Sequence, residues 1–509
     1  MRLFCYKSDG KLFSKLLFSL SLILITPLSA EPWIDTSDIY LKANIQLLAD
    51  SGHITTPVTT YPLMWHDIIN NIRAIDNNTL TPNQENAYLY ITHQFKLTNQ
   101  NRVTVKAQVA TDNNLFTSFG DTFRDKNSLQ IQSSYMSNNF AIKMAPSYFQ
   151  STEDDNDKFR LDDSYIATFI GNWVLSLGRQ NRWYGPTWDT SLSLTNNARP
   201  ITAISLNRKS ALPLQIPFTD IEIPWTVSTF MGQMDDTRTI KNTLLWGFRL
   251  NVKPLKNLEI GISRLAQWGG EGRAQDFSMF WDVFLGKSNC GISGVVCNEN
   301  TPNPANQQAG YDFRYSMNWF DIPVNLYAQK FAEDGNEKAY QFVTKAKLQV
   351  GLDAHFNLFS VPSTVFIEYS DSLADCGTRD NIGDCYYEHS SYTTGMRYYG
   401  RTIGSLYDND AETVVLGAIS QFTPNTHVTT KFRWLALNKD NSDKAPNNPL
   451  IGNSLTKIAK DTAMLSTSIR HSIKNWRFTL DAAVSHSTYD NDVSNENDVT
   501  ASLTVEYNL

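Results

Sequence analysis

The sequence is short of charge and of long apolar runs. Only 19% of its 509 residues are charged and 12% are aromatic, whereas an ordinary soluble domain has about 25% charged residues. After residue 30, no apolar run approaches the roughly 20 residues that a membrane-spanning helix needs. These shortages exclude a helical membrane bundle, and they favour a sheet-rich protein with a large, partly apolar outer surface.

Positive charge is also scarce outside the N-terminus. Four basic residues precede an apolar run over Leu16–Ile25, and small residues end at Ala30, which predicts a secretory signal peptide over residues 1–30, cleaved after Ala30. The run is too short for the alternative, an uncleaved membrane anchor. Cleavage removes four positive charges and one negative charge, so the formal net charge changes from −7 to −10. An acidic exported chain excludes a nucleic-acid partner.

Cysteine is rare, and its positions favour disulfides over metal binding. Cys5 lies in the signal peptide, and the other four of the five cysteines form two near-neighbour pairs. We expect Cys290 to pair with Cys297 and Cys376 with Cys385, in loops that face the outside, because an exported chain enters an oxidising compartment. Zinc is the competing interpretation, but neither pair has zinc-knuckle spacing or a histidine directly beside it. No metal or other cofactor is therefore expected.

Residues 31–93 carry helical signals. An apolar stripe at helical spacing follows Ser37 and ends at Gly52, and Pro62 suits the first turn of a second helix. Residues 81–84, with the sequence TPNQ, form a capping box with proline at the first helical position, which indicates a third helix. We therefore expect a small bundle of three short helices.

From residue 94 to residue 509 the apolar pattern changes to a period of two. Val103, Val105 and Val109 alternate with polar residues, and similar segments recur between clusters of Asn, Asp and Gly. Repeated alternation with aromatic ends is typical of a transmembrane β-barrel, whose outer face meets lipid and whose inner face meets water. At about 10 residues a strand, this region predicts roughly 16 to 20 antiparallel strands. A barrel that wide encloses an aqueous lumen unless something plugs it.

Several longer strings go beyond a generic barrel pattern. They are GRQNRWYGP at 178–186, NNARP at 196–200, SLNR at 205–208, RLAQWGGEGR at 264–273, GYDFR at 310–314, YAQ at 327–329 and YYGR at 398–401, with ANIQLLAD at 43–50 and PVTTYPL at 57–63 nearer the start. These strings resemble the capsule-assembly Wzi family of Gram-negative outer-membrane proteins. The resemblance spans nearly the whole chain after the signal peptide.

The resemblance implies a mainly β fold, an 18-stranded barrel in the outer membrane with a small periplasmic α-helical bundle at its N-terminus. It also implies a lectin that attaches capsular polysaccharide to the cell surface, with outer-membrane lipid and the polysaccharide export machinery as further partners. We accordingly expect the bundle over residues 31–93 and the barrel over residues 94–509. A diffusion porin is the alternative function, because a porin has the same strand periodicity but keeps an open lumen.

Two of these regions are rich in residues suited to sugar recognition. Aromatic rings stack on pyranose faces, and Arg, Asn, Asp and Gln form hydrogen bonds with hydroxyls and carboxylates. The candidate polysaccharide-binding residues are Arg179, Gln180, Arg182, Trp183, Tyr184, Trp188 and Asp189 in the first region, and Arg264, Gln267, Trp268, Glu271 and Arg273 in the second. The alternative is that the charged members pair with one another and brace the barrel interior.

Strand parity orients the remaining charged candidates. Asp312, Arg314 and Arg397 each stand between apolar or aromatic neighbours, so they are expected to point into the lumen as plug or wall residues. Arg179 and Arg264 instead share parity with lipid-facing residues. Because an arginine that faces mid-bilayer lipid costs about 2 to 4 kcal/mol, both are expected at the rim or after a bulge.

An enzymatic function is not expected. The histidines include His53, His66, His93, His389 and His486, which are scattered without a repeated metal-ligand spacing. A hydrolase would need a serine or a carboxylate pair that converges with such a base. The sequence therefore assigns no catalytic residue.

Overall fold

The alternating segments form one closed sheet in the computed structural model. The structure describes residues 31–100, 102–121, 123–152, 155–287, 303–320, 322–333, 346–373, 375–378, 381–490 and 495–509. Within these ranges, no helix combines the length and the apolar character needed to cross a membrane.

Eighteen antiparallel strands make the barrel, and β3 and β4 are each interrupted once. In chain order, β1 to β18 are Val103–Ala110, Ser128–Met136, Phe140–Met144 with Ser147–Phe149, Phe159–Arg160 with Tyr165–Ile170, Trp173–Arg179, Thr202–Arg208, Trp225–Gln233, Leu244–Leu255, Leu258–Trp268, Ala305–Trp319, Ile322–Glu333, Ala346–Leu358, Val361–Asp371, Glu412–Thr423, Thr426–Leu437, Lys460–Ile473, Trp476–Tyr489 and Glu496–Asn508.

The last strand closes the barrel on the first. β18 pairs with β1 in a register that places Leu503 opposite Val109. Alternation sorts the side chains, as on β17, where Leu480 and Val484 are exposed on the outer face and Thr479 is buried on the inner face. An apolar outer face around a closed sheet is the arrangement of an outer-membrane β-barrel, because closure leaves no unpaired strand edge in lipid.

Helices precede the barrel, as the sequence predicts. α1 spans Ile39–Asp50, α2 spans Trp65–Ala74 and α3 spans Pro82–Thr98, with a 3-10 turn at Asn77–Thr79. The capping box predicted at the start of α3 is confirmed.

Two details of the helical region differ from the sequence-based expectation. Pro62 does not lie in the first turn of α2, because a two-residue strand, Leu63–Met64, pairs with Trp33–Ile34 in between. α3 also continues past residue 93 to Thr98, since its polar C-terminal turn carries no breaker before Asn99.

Short strand pairs and one further helix lie in the connections. α4 spans Phe277–Leu285. The short pairs outside the barrel are Thr60–Tyr61 with Trp183–Tyr184, Leu214–Gln215 with Glu222–Ile223, Asp375–Thr378 with Asn381–Ile382, and Arg397–Tyr398 with Arg401–Thr402.

Connection lengths orient the barrel. One end carries tight turns such as Lys256–Asn257 and Lys474–Asn475, whereas the other end carries long connections such as 372–411. Outer-membrane barrels have short turns in the periplasm and long loops outside. The helical bundle docks at the short-turn end, where Lys253 Nζ donates to the carbonyl of Ala49 (3.3 Å) in the last turn of α1 and to that of Ile54 (2.9 Å) just after the helix.

Side chains from the bundle and the barrel wall share one core inside the lumen. Ile45 and Leu48 of α1 belong to the same buried cluster as Tyr327 and Phe366 of the wall. The space left between bundle and wall at the short-turn end is a polar cavity of about 250 Å³. The barrel therefore carries an internal plug.

Candidate functional site

A buried ion-pair cluster fastens α1 to the barrel wall. Arg314 Nη2 lies 2.6 Å from Asp50 Oδ2, and Arg314 Nη1 lies 2.7 Å from Asp353 Oδ2. His355 Nε2 lies 3.0 Å from the same Asp50 oxygen. Burial raises the pKa of the Asp50 carboxyl, but the charge of Arg314 and the hydrogen bond from His355 outweigh it and hold the pKa well below its usual range. Arg314 therefore points into the lumen and joins the barrel wall to α1 through buried ion pairs.

A second group of buried polar contacts holds the segment that follows α1 against the barrel wall. Arg249 binds Asp312 through two hydrogen bonds of 2.6 and 2.9 Å. Glu259 accepts the backbone N–H groups of Val58 (3.0 Å) and Thr59 (2.9 Å). Asp312 is thus buried on the inner face of β10, and its partner Arg249 lies on β8.

The loop after β5 enters the lumen and meets α1. Trp183 and Trp188 are fully buried. Lys42 of α1 places its Nζ 4.8 Å from the Trp183 ring centre and 5.0 Å from that of Trp188, and donates to the carbonyl of Thr187 at 2.6 Å. Tyr184 is also buried, and its hydroxyl lies 3.1 Å from Ser228 Oγ. These aromatic rings have no free face on which a sugar could stack.

Asp189 is the centre of a buried charge network in the same loop. Its Oδ1 lies 2.9 Å from Lys431 Nζ and 2.8 Å from Arg433 Nη2, and Tyr407 donates to its Oδ2. Burial raises the pKa of Asp189, but the two neighbouring cations outweigh it and lower that pKa overall. Glu368 accepts the backbone N–H of Asp189 at 3.0 Å, which ties the loop to the wall.

The connection 372–411 supplies the second internal loop. Arg397 is buried and pairs with Asp408 at 2.7 Å and with Glu388 at 2.6 Å. Arg397 therefore lies among the buried residues of this connection and not on a barrel strand. Cys385 is disulfide-bonded; the side chain of Cys376 and the pair Cys290 and Cys297 lie outside the described residues, so both pairings stay predictions.

The second candidate region divides between the inside and the outside of the barrel. Gln267 points inward and donates to the carbonyl of Gly395 at 2.8 Å. Arg264 points outward and donates to the carbonyls of Val283 (2.7 Å) and Phe284 (2.8 Å) at the C-terminal end of α4. Arg264 thereby satisfies the carbonyls that a helix end leaves unpaired.

Trp268 and its neighbours complete this region. Trp268 faces outward beneath α4, with its ring centre 5.5 Å from that of Phe280. Glu271 is exposed, and Arg273 is half-buried with its guanidinium 5.3 Å from the Tyr392 ring centre. Glu271 and Arg273 therefore offer polar groups to the outside, whereas the outward-facing guanidinium of Arg264 is bonded to the end of α4.

One candidate of the first region, Arg179, lies in a rim cluster. The rim cluster consists of Arg179, Asp157, Asp162, Arg199 and Tyr399 at the long-loop end. Arg199 lies 2.9 Å from Asp162 and 5.1 Å above the half-buried Tyr399 ring. Arg179 lies 3.5 Å from Asp162, with 34% of its side chain exposed, and Asp157 has 55% exposed. The cluster presents charge and an aromatic face at the surface.

Gln180 and Arg182 lie just below this surface. Arg182 donates to Ser205 Oγ at 2.7 Å, and its guanidinium lies 4.3 Å from the Phe230 ring centre. The cavity beside them has a volume of about 30 Å³, which is room for one or two waters rather than a sugar ring. These two residues pack the plug.

The main residues that sequence reasoning missed are the wall partners of the plug. Gln329 accepts the Leu192 N–H at 2.7 Å and donates to the Tyr184 carbonyl at 3.2 Å. Glu368 and Lys431 play similar parts. Each of these polar residues stands at a lumen-facing position of its strand, so strand parity alone could have found them.

The family model described as capsule assembly protein Wzi matches residues 96–501. The chain belongs to the Wzi capsule-assembly family. The strings that carry the Wzi resemblance meet in the plug: Asn197 donates to the Thr402 carbonyl at 3.2 Å, and Gln267 and Gln329 hold its loops to the wall.

Two known proteins are similar to this chain. Wzi of Escherichia coli, described as an outer-membrane protein involved in group 1 capsule assembly and as a carbohydrate-binding β-barrel, shares the fold with a TM-score of 0.76 and 20% identity, over 94% of this chain and 99% of that chain. An uncharacterized 55.8 kDa protein in the cps region of Klebsiella pneumoniae is 27% identical over 325 residues. That match covers 62% of each chain, so this chain spans less than two thirds of the Klebsiella relative.

Proposed function

We propose that this protein binds capsular or exported polysaccharide and anchors it at the outer surface of the outer membrane. Membership of the Wzi family supports the link to capsule assembly. The observation that carries the proposal is the filled lumen, in which α1 and the loops after β5 and β13 pack against one wall. A filled barrel suits retention of a polymer at its surface, whereas a porin requires an open path.

The rim cluster is the part of the candidate site that we assign to sugar contact. The half-buried ring of Tyr399 offers a face for stacking, and Arg179 and Asp157 offer exposed charges for hydroxyls or sugar carboxylates. The buried candidates, such as Trp183 and Asp189, have a supporting part in this proposal, because they hold the loop that ends at Arg199. Contacts of this kind are individually weak, and repetition along one polymer makes them effective.

Binding can be measured with the purified full-length protein in detergent. Capsular polysaccharide from the source strain is the ligand, and neutral dextran of similar length is the control. Arg179→Ala and Tyr399→Ala should each weaken binding about 5- to 150-fold, since each removes a contact worth roughly 1 to 3 kcal/mol. Arg73→Ala, an exposed arginine of the bundle, is the matched control and should bind normally.

The outcomes separate the possible sites. Wild-type protein that does not distinguish the polysaccharide from dextran would contradict the proposed function. Normal binding by both rim variants would move the sugar site away from the rim cluster. We also propose cleavage of the signal peptide after Ala30 and insertion in the outer membrane with the rim outside, which mass spectrometry and surface labelling would test.

A further inference from the structure

Three carboxylates from two connections, 372–411 and 438–459, meet at the long-loop end. Asp384 precedes the disulfide-bonded Cys385, Asp410 precedes β14, and Asp440 follows β15. One oxygen of each carboxylate lies within 4.8 Å of the others. A Cβ atom on Gly383, whose φ is +102°, would lie 2.1 Å from Asp440 Oδ2. The glycine therefore permits the close approach of the third carboxylate.

Asp410 is fully buried and incompletely bonded. Its Oδ2 accepts the backbone N–H of Asp384 and the side-chain amide of Asn409, both at 2.8 Å. Its Oδ1 is buried with no hydrogen-bond partner, and so is Oδ1 of Asp384. A buried carboxylate oxygen without a donor is costly, so these two atoms call for a ligand that the protein itself does not supply.

Two nearby lysines pair with other acids, and a third, the exposed Lys444, lies near enough to Asp384 for their charges to interact. Lys439 binds Glu412, and Lys457 lies 2.7 Å from Asp443. In the described part of the chain, no lysine, arginine or histidine forms an ion pair with the three carboxylates.

We propose that Asp384, Asp410 and Asp440 bind a calcium ion. The available ligands are the oxygens of the three carboxylates and of the Ser442 hydroxyl, which lies 2.9 Å from Asp384 Oδ2 and 2.8 Å from Asp440 Oδ2. Hard cations prefer such oxygens, and the sulfur of Cys385 is held in a disulfide. Calcium binds oxygen at about 2.3–2.6 Å, so two oxygens on one ion lie at most about 5 Å apart, which agrees with the observed spacing. Waters would complete its coordination.

The calcium ion would connect the internal loop 372–411 to the connection 438–459. Asp408, two residues before Asp410, holds Arg397 in the plug and also accepts the backbone N–H of Ser454 at 2.7 Å. Asp440 begins the long connection 438–459. A cation between Asp410 and Asp440 would therefore stabilise the junction of both loops. This proposal is independent of polysaccharide binding.

The test measures thermal unfolding of the purified full-length protein in detergent. The protein is stripped with EDTA, and calcium chloride is then added in steps. The Tm of the wild type should rise and saturate. Asp410→Asn and Asp440→Asn should lose most of this rise, with calcium affinity lowered by more than about tenfold, because each removes a charged ligand. Asp236→Asn, the same change in an exposed loop, should respond as the wild type does.

The metal-free state provides the decisive comparison. Without calcium, Asp410→Asn should be at least as stable as the wild type, because it removes one of three carboxylates that lie close together. With calcium, the order of stability should reverse. If Asp410 has only a structural role, Asp410→Asn should lower the Tm equally with and without calcium, and that result would overturn the proposal. A wild-type Tm that calcium does not change would also overturn it. So would a folded Asp440→Asn variant that keeps the full response to calcium; Asp440 is half-exposed, so this variant is expected to fold. No polysaccharide is present, so failure here leaves the proposed function untouched.

Discussion

Loss of the Arg314 guanidinium should release α1 from the barrel wall. Arg314 donates two hydrogen bonds to Asp50, of 3.0 and 2.6 Å, and two to Asp353, of 2.7 and 2.8 Å. Arg314→Met fills much of the same space but leaves two buried carboxylates without their cation. Breaking a buried ion pair by removing one partner costs about 3–5 kcal/mol. The docking equilibrium of the bundle should therefore shift by roughly 10²- to 10⁴-fold.

Limited trypsin digestion of the folded protein measures this release. Arg73 and Lys96 are exposed on the bundle, and cleavage near them should accelerate when the bundle undocks. Heat-modifiable gel migration reports whether the barrel itself stays folded. Lys126→Met is the matched control, because Lys126 forms an exposed ion pair with Asp112 at 3.5 Å, and such pairs contribute only about 0–1 kcal/mol. If Arg314→Met is cleaved no faster than this control, Arg314 does not hold the bundle.

The plug and the loops beside it can be tested further. Trp183→Ala should lower the yield of folded protein, since removal of a fully buried Trp costs about 3–5 kcal/mol, whereas Arg179→Ala should fold normally; gel migration distinguishes them, and equal yields would refute the difference. Planar-bilayer recordings should show little steady conductance, and a large stable channel would favour a porin. Peptide mapping without reduction should recover Cys376 joined to Cys385, and any other partner would contradict this pairing. Because the pKa of Asp189 is lowered on folding, its stabilisation is present above the unfolded pKa of about 3.9 and is lost at lower pH; denaturation midpoints that do not fall in acid would contradict this.

The fold could be predicted from local patterns. Alternation in segments such as Val103–Ala110 reports a strand with one apolar and one polar face, and the capping box at Thr81 reports a helix start, because both depend on neighbours in the chain. Pro62 was wrongly placed in a helix, because the pairing of Leu63–Met64 with Trp33–Ile34 is a tertiary contact that local sequence does not reveal.

The candidate site was only partly predictable for a related reason. Strand parity predicts an inward direction for Asp312 and Arg314, which are buried in the structure, but parity cannot predict what fills the lumen. Trp183 and Asp189 have the residue types of a sugar site, and the same types also suit a buried plug. The difference lies in long-range partners, such as Lys42 beside Trp183 and Arg433 beside Asp189, which only the assembled barrel brings together.

The distribution of polysaccharide between cells and medium tests the central claim most directly. In a strain that lacks this protein, polymer synthesis should continue while polysaccharide moves from the cell-bound fraction into the medium, and the wild-type gene should restore retention. A rim double variant, Arg179→Ala with Tyr399→Ala, should restore the barrel but not the retention. Unchanged cell-bound polysaccharide in the deletion strain would contradict the anchoring function.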